Sequence, residues 1–377
     1  MIRLEEERTT IVPTTKIKVI GVGGAGGNII NSMVDSFPHI EFIAANTDAQ
    51  ALNLSKAQVR IQLGLKATKG LGTGANPDLG KRSAEEDLEK IIELVQDSDI
   101  VFLAGGLGGG TGSGALPVIA QALQENNILS ITLASKPFVF EGRRRAKIAQ
   151  DAFELLKKYT DTLLIIPNQK LLELVDKKPT LVEAFNIVNE TIAESVRSIS
   201  DIITKPGQIN VDFADIKSIM KRMGLAVMGT GRAHGEDRAI DATMAAINSP
   251  LLENMSIDGA RSILLSISGN DKLGLEEVSA AASIIYQKAH EDANIILGSV
   301  IDNSLEDDII ITVIATGFEQ QATTQQSVAR MTTKPALKEQ VEEIERHEKQ
   351  SAQFDNLDIP AALRRSGVFT QNSTQKE

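Results

Sequence analysis

The sequence predicts an α/β protein: a Rossmann-like parallel sheet, a long central helix, a second smaller α/β domain and a flexible C-terminal tail. Three observations carry this expectation. Short apolar runs alternate with helical stretches from Lys16 to Pro167, the pattern of a parallel sheet covered on both faces. Leu181, Phe185, Val188, Ile192, Val196 and Ile199 recur at three- and four-residue spacing, the period of one long helix. Past Phe318 the composition turns to Gln, Thr, Lys and Glu, which cannot sustain a core.

The first buried strand is Lys16–Val22 (KIKVIGV), and GGAGGNIINSM turns from it into a helix. Ile40–Ala45 and Val59–Leu63 read as the next strands. Lys69–Gly80 is a glycine-rich loop opening a charged helix near Ser83–Val95. Asp99–Ala104 is a strand that ends in the densest glycine loop of the chain, before a helix near Leu116–Glu125. Ile128–Ala134 and Leu163–Pro167 complete this half. The long helix Thr180–Ile203 stops at Lys205-Pro206-Gly207, and a shorter one follows over Asp215–Met223. Helices at Ala239–Ile247 and Leu275–His290, with strands at Ser262–Ser268, Asn294–Ile301 and Asp308–Gly317, form the second α/β region. In domain terms the chain divides into an arm (1–15), a nucleotide-binding domain (16–179), the central helix (180–203), a loop and helix (204–223), the second domain (224–318), a linker (319–356) and a terminal peptide with its tail (357–377). In the linker, Leu337, Val341 and Ile344 allow a short amphipathic helix, although a solvated linker fits the composition better.

Of the 377 residues, 42% are hydrophobic and 24% charged, so a sizeable core can form; with 3% aromatics and no Trp, aliphatic side chains must fill it. A net charge of −11 argues against nucleic acid as the main partner. The absence of Cys excludes disulfides, thiolate zinc sites and cysteine nucleophiles. MIRLEEERTT lacks the apolar segment of a signal peptide, and no apolar run reaches the length of a membrane span, so direct membrane insertion is not expected.

The chemistry lies in the glycines. In VFLAGGLGGGTGSGAL, seven of the ten residues from Gly105 to Gly114 are glycine. Between a strand and a helix, such a loop lets backbone N–H groups approach phosphate oxygens, and the helix terminus adds partial positive charge. A tight turn alone would need one or two glycines. The loop has no GK[ST] ending and so is not a P-loop. Gly21–Gly27 (GVGGAGG), with Asp48 downstream, resembles a dinucleotide fingerprint, which keeps an NAD(P)-dependent oxidoreductase open as a rival. Yet glycine-rich loops at Gly21–Asn28, Gly70–Asn76 and Gly105–Gly114 all adjoin strand ends. A nucleoside triphosphate enclosed on several sides would use all of them.

GGGTGSG at Gly108–Gly114 resembles the nucleotide loop of the tubulin/FtsZ family. GVGGAGGN, NTDAQAL, KGLGTGANP, KPFVFEG and NVDFAD follow the order found in the family's bacterial cell-division GTPases, and the likeness runs from about Ile17 to Gly317 and returns at LDIPAALRR. The resemblance implies phosphate contacts from Gly108, Gly109, Gly110, Thr111, Gly112 and Ser113. It implies that Gly24, Ala25, Gly26, Gly27 and Asn28 lie along the nucleotide; many relatives carry Gly where Ala25 stands. Gly74, Ala75 and Asn76 match the loop that senses the terminal phosphate, and Glu141 and Arg145 match residues near ribose and phosphates. Without the resemblance, EGRRRAK would be a solvated helix start. Phe185 and Asn189, four residues apart and so on one helix face, match the groups that stack on and read guanine, with Glu190 the alternative to Asn189.

For hydrolysis the resemblance points to Asn210, Asp212 and Asp215, which complete the active site on a neighbouring subunit's GTP. From the residues alone, Asp212 is a helix cap and Asp215 a first-turn acid. GTP or GDP with Mg is thus the implied ligand, a head-to-tail homopolymer the implied assembly, and the cytoplasmic side of the division site the implied location. No metal site formed by protein side chains is expected. Leu357–Arg365 resembles the peptide that binds membrane tethers and division regulators, with Ala362 where the family often has a bulky aromatic. A non-hydrolysing, tubulin-like filament is the second rival.

Overall fold

Parallel strands with apolar residues on both faces need helices on both faces, and the computed structural model has that arrangement. It describes residues 15–172, 179–205, 207–252 and 257–318. The N-terminal arm before Thr15, the linker and the Leu357–Arg365 peptide lie outside the described residues. Strands β1 (Ile17–Val22), β2 (Glu41–Asn46), β3 (Val59–Gln62), β4 (Ile100–Gly106), β5 (Leu129–Lys136) and β6 (Thr162–Pro167) pair in parallel in the order β3-β2-β1-β4-β5-β6. The order reverses between β1 and β4. In open α/β sheets, ligands bind outside the carboxyl ends of the strands at such a switch point.

The helices in chain order are α1 (Gly23–Met33), α2 (Ala49–Asn53), α3 (Leu65–Thr68), α4 (Pro77–Glu86), α5 (Leu88–Val95), α6 (Thr111–Glu125), α7 (Arg143–Tyr159), α8 (Asn168–Leu171), α9 (Leu181–Thr204), α10 (Phe213–Met220), α11 (Arg238–Ile247) and α12 (Leu275–Lys288). One apolar core lies between the sheet and α1, α9 and α10, with Ile29, Phe42, Phe102, Ile192, Val196 and Ile216 in it. The opposite face packs on α4–α7 through Ile91, Ile119, Leu123 and Leu156.

Three features depart from the sequence expectation. The helix expected near Ser83–Val95 starts at Pro77 and breaks at Asp87, whose buried carboxylate accepts from the Gly64 N–H at 2.8 Å instead of continuing the helix. The helix expected near Leu116 begins at Thr111, so TGSGALP is helical despite its glycines. Gly114 makes this possible: a Cβ there would meet the Pro77 carbonyl oxygen at 2.1 Å, so only glycine lets α6 lie this close to α4. The third is an unforeseen strand, β7 (Gly224–Ala233). It pairs in parallel with β6 and antiparallel with β10 (Ile309–Thr316), which joins β8 (Ser262–Gly269) and then β9 (Asn294–Ile301) to one ten-stranded sheet.

Asp161 fastens this junction. Its carboxylate is buried and accepts from the Ser130 N–H at 3.0 Å, the Ser130 hydroxyl at 3.3 Å and the Arg222 N–H at 3.2 Å, while its carbonyl accepts from Gly224 N–H. It thus ties the starts of β5 and β6 to the chain entering β7. Asp161→Ala is expected to cost about 2–4 kcal/mol, because buried donors lose a charged acceptor, measured as a lower midpoint in urea unfolding.

In the second half, Arg238 of α11 forms a two-pronged pair with Glu277 of α12, at 2.6 and 3.1 Å, and donates to the Asp307 carbonyl at 2.7 Å. The Arg238 hydrogen bonds hold the Glu277 carboxyl below its ordinary value against an opposing effect of burial. A lowered folded-state pKa gives stability that is complete above the ordinary carboxylate value of 4.5 and is lost as pH falls through the folded value. Glu277→Gln should therefore lower stability at pH 7 and flatten its decline below about pH 4.5, read from denaturation midpoints across pH.

Candidate nucleotide-binding site

The switch point between β1 and β4 opens into a cavity of about 310 Å³. Two helices begin on it. The N-terminus of α1 follows β1 directly and carries no side-chain cap; that of α6 follows the β4 loop and likewise has none. A side-chain cap closes α2 (Asp48), α4 (Asn76), α9 (Thr180) and α10 (Asp212), while α3, α5, α7 and α8 also lack one. First-turn N–H groups have no partner within their own helix. At α1 and α6 the first turns line the cavity through Gly23, Gly24, Ala25, Thr111 and Gly112, with Gly109 and Gly110 beside them. Their amides and helix dipoles make a site for an anion.

Gly112 and Gly109 separate packing from access. A Cβ on Gly112 would lie 2.3 Å from the Gly106 carbonyl oxygen, so glycine is needed for packing. A Cβ on Gly109 would meet nothing within 4 Å, and its φ is not in the left-handed region, so the fold itself makes no demand for glycine there. What glycine leaves at Gly109 is open cavity wall, the condition for close approach of a ligand to the backbone.

The cavity brings together many of the residues expected from sequence: Gly24, Ala25, Asn28, Gly109, Gly110, Thr111, Gly112, Glu141, Arg145, Phe185 and Asn189. Glu190 is exposed and does not line it. Glu141 and Arg145 pair with one another, and Glu141 also accepts from the Phe138 N–H at 2.9 Å, which fixes the carboxylate on the rim. Phe185 presents a partly open ring, 39% exposed, and meets Phe138 edge-on with centroids 5.3 Å apart.

Other expected residues do not line the cavity. Gly26 packs against Gly21 and the Ala104 carbonyl. Gly27, Gly74, Ala75, Asn76, Gly108 and Ser113 are not lining residues. Ser113 is buried and its hydroxyl accepts from the Gly108 N–H at 2.8 Å, holding the loop's shape. Ala75 takes φ 60°, and Asn76 caps α4, so this loop offers Thr73 to the cavity. Asp48 accepts from the N–H groups of Gln50 and Ala51 as the α2 cap and does not line the cavity, which removes the acid of the dinucleotide reading.

Sequence reasoning missed Thr73, Ser135, Pro137, Asn168 and Val188. Asn168 carries the clearest signal. It is 3% exposed, it lines the cavity, and its Oδ1 has no hydrogen-bond partner among the described residues. A buried acceptor left without a partner is costly, and a ligand donor would satisfy this one. Its place immediately after β6, at the carboxyl edge of the parallel sheet, would have flagged it.

Asn210, Asp212 and Asp215 lie elsewhere. Phe185 and Asn189 of α9 line the cavity, and the rest of the helix, to Thr204, carries the chain roughly 22–28 Å away. Its end at Thr204 meets His39, which precedes β2, at 3.5 Å. The end of α10 is held where β5 and β6 start: Thr162 donates to the Met220 carbonyl and Lys221 to Asn127 at 2.9 Å. The stretch between therefore runs along the amino edge of the sheet, opposite the cavity. On it, Asp212 caps α10 by accepting from the Asp215 N–H at 2.8 Å, Asn210 accepts from the Gly207 N–H at 2.9 Å, and all three side chains are exposed.

An amide-lined anion cradle without a lysine, beside an aromatic ring and side-chain amides on a parallel α/β sheet, defines a nucleotide-hydrolysing protein of the tubulin-like kind. The comparisons agree. Residues 16–176 match the Tubulin/FtsZ family GTPase domain, and residues 224–319 match the FtsZ family C-terminal domain. The structure resembles the FtsZ dimer of M. jannaschii at TM-score 0.77 and 41% identity, over 83% of this chain and 89% of that one. It shares its fold with CetZ2 from Haloferax volcanii, solved as a GTPγS-bound protofilament, at TM-score 0.70 and 21% identity, over 84% and 97% of the two chains. The chain belongs to the tubulin/FtsZ family. It is a polymerising GTPase of cell division that binds GTP and GDP, and an oxidoreductase finds no support. Among the described residues, no helix is long and apolar enough to cross a membrane.

Gly109→Ala should leave the fold intact and weaken GTP binding by about tenfold or more, because its methyl group enters the cradle. Unchanged urea unfolding with reduced affinity for labelled GTP in dilute protein is the expected pair of results.

Proposed function

We propose that the GTP held in this cradle is hydrolysed only when a second subunit brings its Asn210–Asp215 segment to it. The observation that carries this reading is a separation. Among the described residues lining the cavity the one carboxylate is Glu141, already paired with Arg145, while Asp212 and Asp215 stand exposed at the opposite edge of the sheet. A group that positions or activates water is needed for hydrolysis. Stacking subunits head to tail supplies it, and a heterologous contact of this kind continues as an open filament.

The cavity edge suits such a contact. Leu65, Leu71, Val139, Phe140, Leu181 and Val182 follow carboxyl strand ends or open α9 beside the cavity, and each is 60% exposed or more. Of these, Phe140 is tied to α9 through Phe138, which stacks on Phe140 and meets Phe185 edge-on, so exposed apolar side chains stand together at one side of the cavity, as at an interaction surface. The M. jannaschii relative is described as a dimer and the Haloferax relative as a protofilament, and the same mode of association is assigned to this chain.

The donor set fits the ligand. The amides of Gly109–Gly112 and the hydroxyls of Thr111 and Thr73 suit phosphate oxygens, the open ring of Phe185 suits a base, and Asn28, Asn168 and Asn189 supply amide acceptors for the N1–H and N2–H donors of guanine. Among the described residues no group of three His, Cys, Asp or Glu could hold a metal. Magnesium would thus be held chiefly by the phosphates and water, as this ion prefers, and would neutralise phosphate charge. The division of labour assigned here gives residues 16–179 the nucleotide, 204–223 the hydrolytic loop and 224–318 the support of that loop. Leu357–Arg365, an apolar island in a polar tail, is assigned to tethering and regulatory division proteins, placing the filament at the division site.

GTP turnover per subunit should rise steeply with protein concentration, and a flat rate from dilute to concentrated protein contradicts the shared site. Asp212→Ala should bind GTP normally while losing on the order of 100-fold or more in hydrolysis, measured as phosphate release from assembled protein.

A further inference from the structure

Behind the cradle stands a threonine that the phosphate reading does not use. Thr47 follows β2 and is fully buried. Its carbonyl accepts from the Gln62 amide at 2.9 Å and the Gly72 N–H at 3.2 Å, which fix its backbone. Its hydroxyl lies 2.7 Å from the hydroxyl of Thr111, the first residue of α6, which lines the cavity. Thr111 in turn lies 3.4 Å from the hydroxyl of Thr73, also on the cavity wall.

A hydroxyl has one proton to give and can accept twice. Among the described residues Thr111 is the one hydrogen-bond partner of the Thr47 hydroxyl. If Thr111 donated to Thr47, the buried Thr47 proton would have no acceptor, a penalty that the opposite direction avoids. Thr47 therefore donates and Thr111 accepts. The Thr111 proton is left free to point outward, where only Thr73 and the cavity can receive it.

We infer that Thr47 is a positioning residue that fixes the Thr111 hydroxyl as a donor to an anionic oxygen in the cavity. Under the proposed function, on which this inference rests, that oxygen belongs to a phosphate of GTP. Thr47 touches no ligand itself; it sets which way a proton points one residue away. Such preorganisation lowers the cost of binding because the donor need not be turned when the anion arrives.

The test measures GTP affinity in dilute, unassembled full-length protein for Thr47→Val, Thr47→Ser, Thr111→Val and the Thr47→Val/Thr111→Val double variant, with urea midpoints recorded for each. Thr47→Val keeps the shape and removes the hydroxyl; Thr47→Ser keeps the hydroxyl and removes the methyl. The expected result is binding about five- to tenfold weaker for Thr47→Val, within the range of one ordinary hydrogen bond, and near wild type for Thr47→Ser. The double variant should bind no more weakly than Thr111→Val alone, because Thr47 acts through Thr111. Wild-type affinity in Thr47→Val, an equal loss in Thr47→Ser, or losses that multiply in the double variant would each overturn the inference while leaving the GTPase reading in place. Failure of the wild-type protein to bind GTP would overturn the reading beneath it.

Discussion

Two helix N-termini, of α1 and α6, meet without side-chain caps at the point where the strand order of a parallel sheet reverses. The rest of the molecule depends on that meeting. Amides that would otherwise be capped are left for a ligand, and their dipoles add in one small volume. The design requires no lysine in the cavity, and none lines it among the described residues. It does require close approach of backbones, which explains why the glycines gather there. Gly112 and Gly114 let α6 lie against Gly106 and Pro77, and Gly109 leaves the wall open.

The same sheet explains the distance between the cavity and the Asn210–Asp215 segment. Parallel strands put every βα loop on the carboxyl edge, so a cradle built from those loops leaves the amino edge for something else. The α9 helix runs from one edge to the other, with Phe185 and Asn189 at the cavity and Asp201 near its end. Past that end the chain lays Asn210, Asp212 and Asp215 along the amino edge, where Asp161 and the Thr162–Met220 hydrogen bond hold the segment's exit. A rigid helix thus sets the distance between the cavity and the Asn210–Asp215 segment, a gap that two stacked copies close under the proposed function.

The course of α9 was legible because Leu181 to Ile199 keeps helical period; the structure adds a Thr180–Glu183 capping box at its start, with hydrogen bonds of 2.7 and 3.3 Å. The cap role of Asp212 was equally legible from its spacing to Asp215. The strand β7 was not, because GLAVMGTGRA breaks apolar alternation with glycines whose value appears only in three dimensions: a Cβ on Gly229 or Gly231 would meet carbonyl oxygens of α11 at 2.0 Å. The start of α6 was hidden for a related reason, since glycine and serine read as loop until the close packing of α4 is known. Motif matching grouped Gly108 and Ser113 with Gly109 and Gly110, although in space the first two form the support and the latter two the surface. Asn168, Thr73 and Thr47 come from segments distant in sequence, and only the sheet brings them to one place.

The central claim is that main-chain amides at these two helix starts grip the triphosphate. Amide hydrogen exchange of dilute, unassembled protein with and without GTP tests it most directly. The account predicts that GTP slows exchange in Gly23–Asn28 and Gly109–Ser113 and leaves Asn210–Asp215 unchanged until subunits associate. GTP binding that leaves both glycine segments exchanging as before would contradict it.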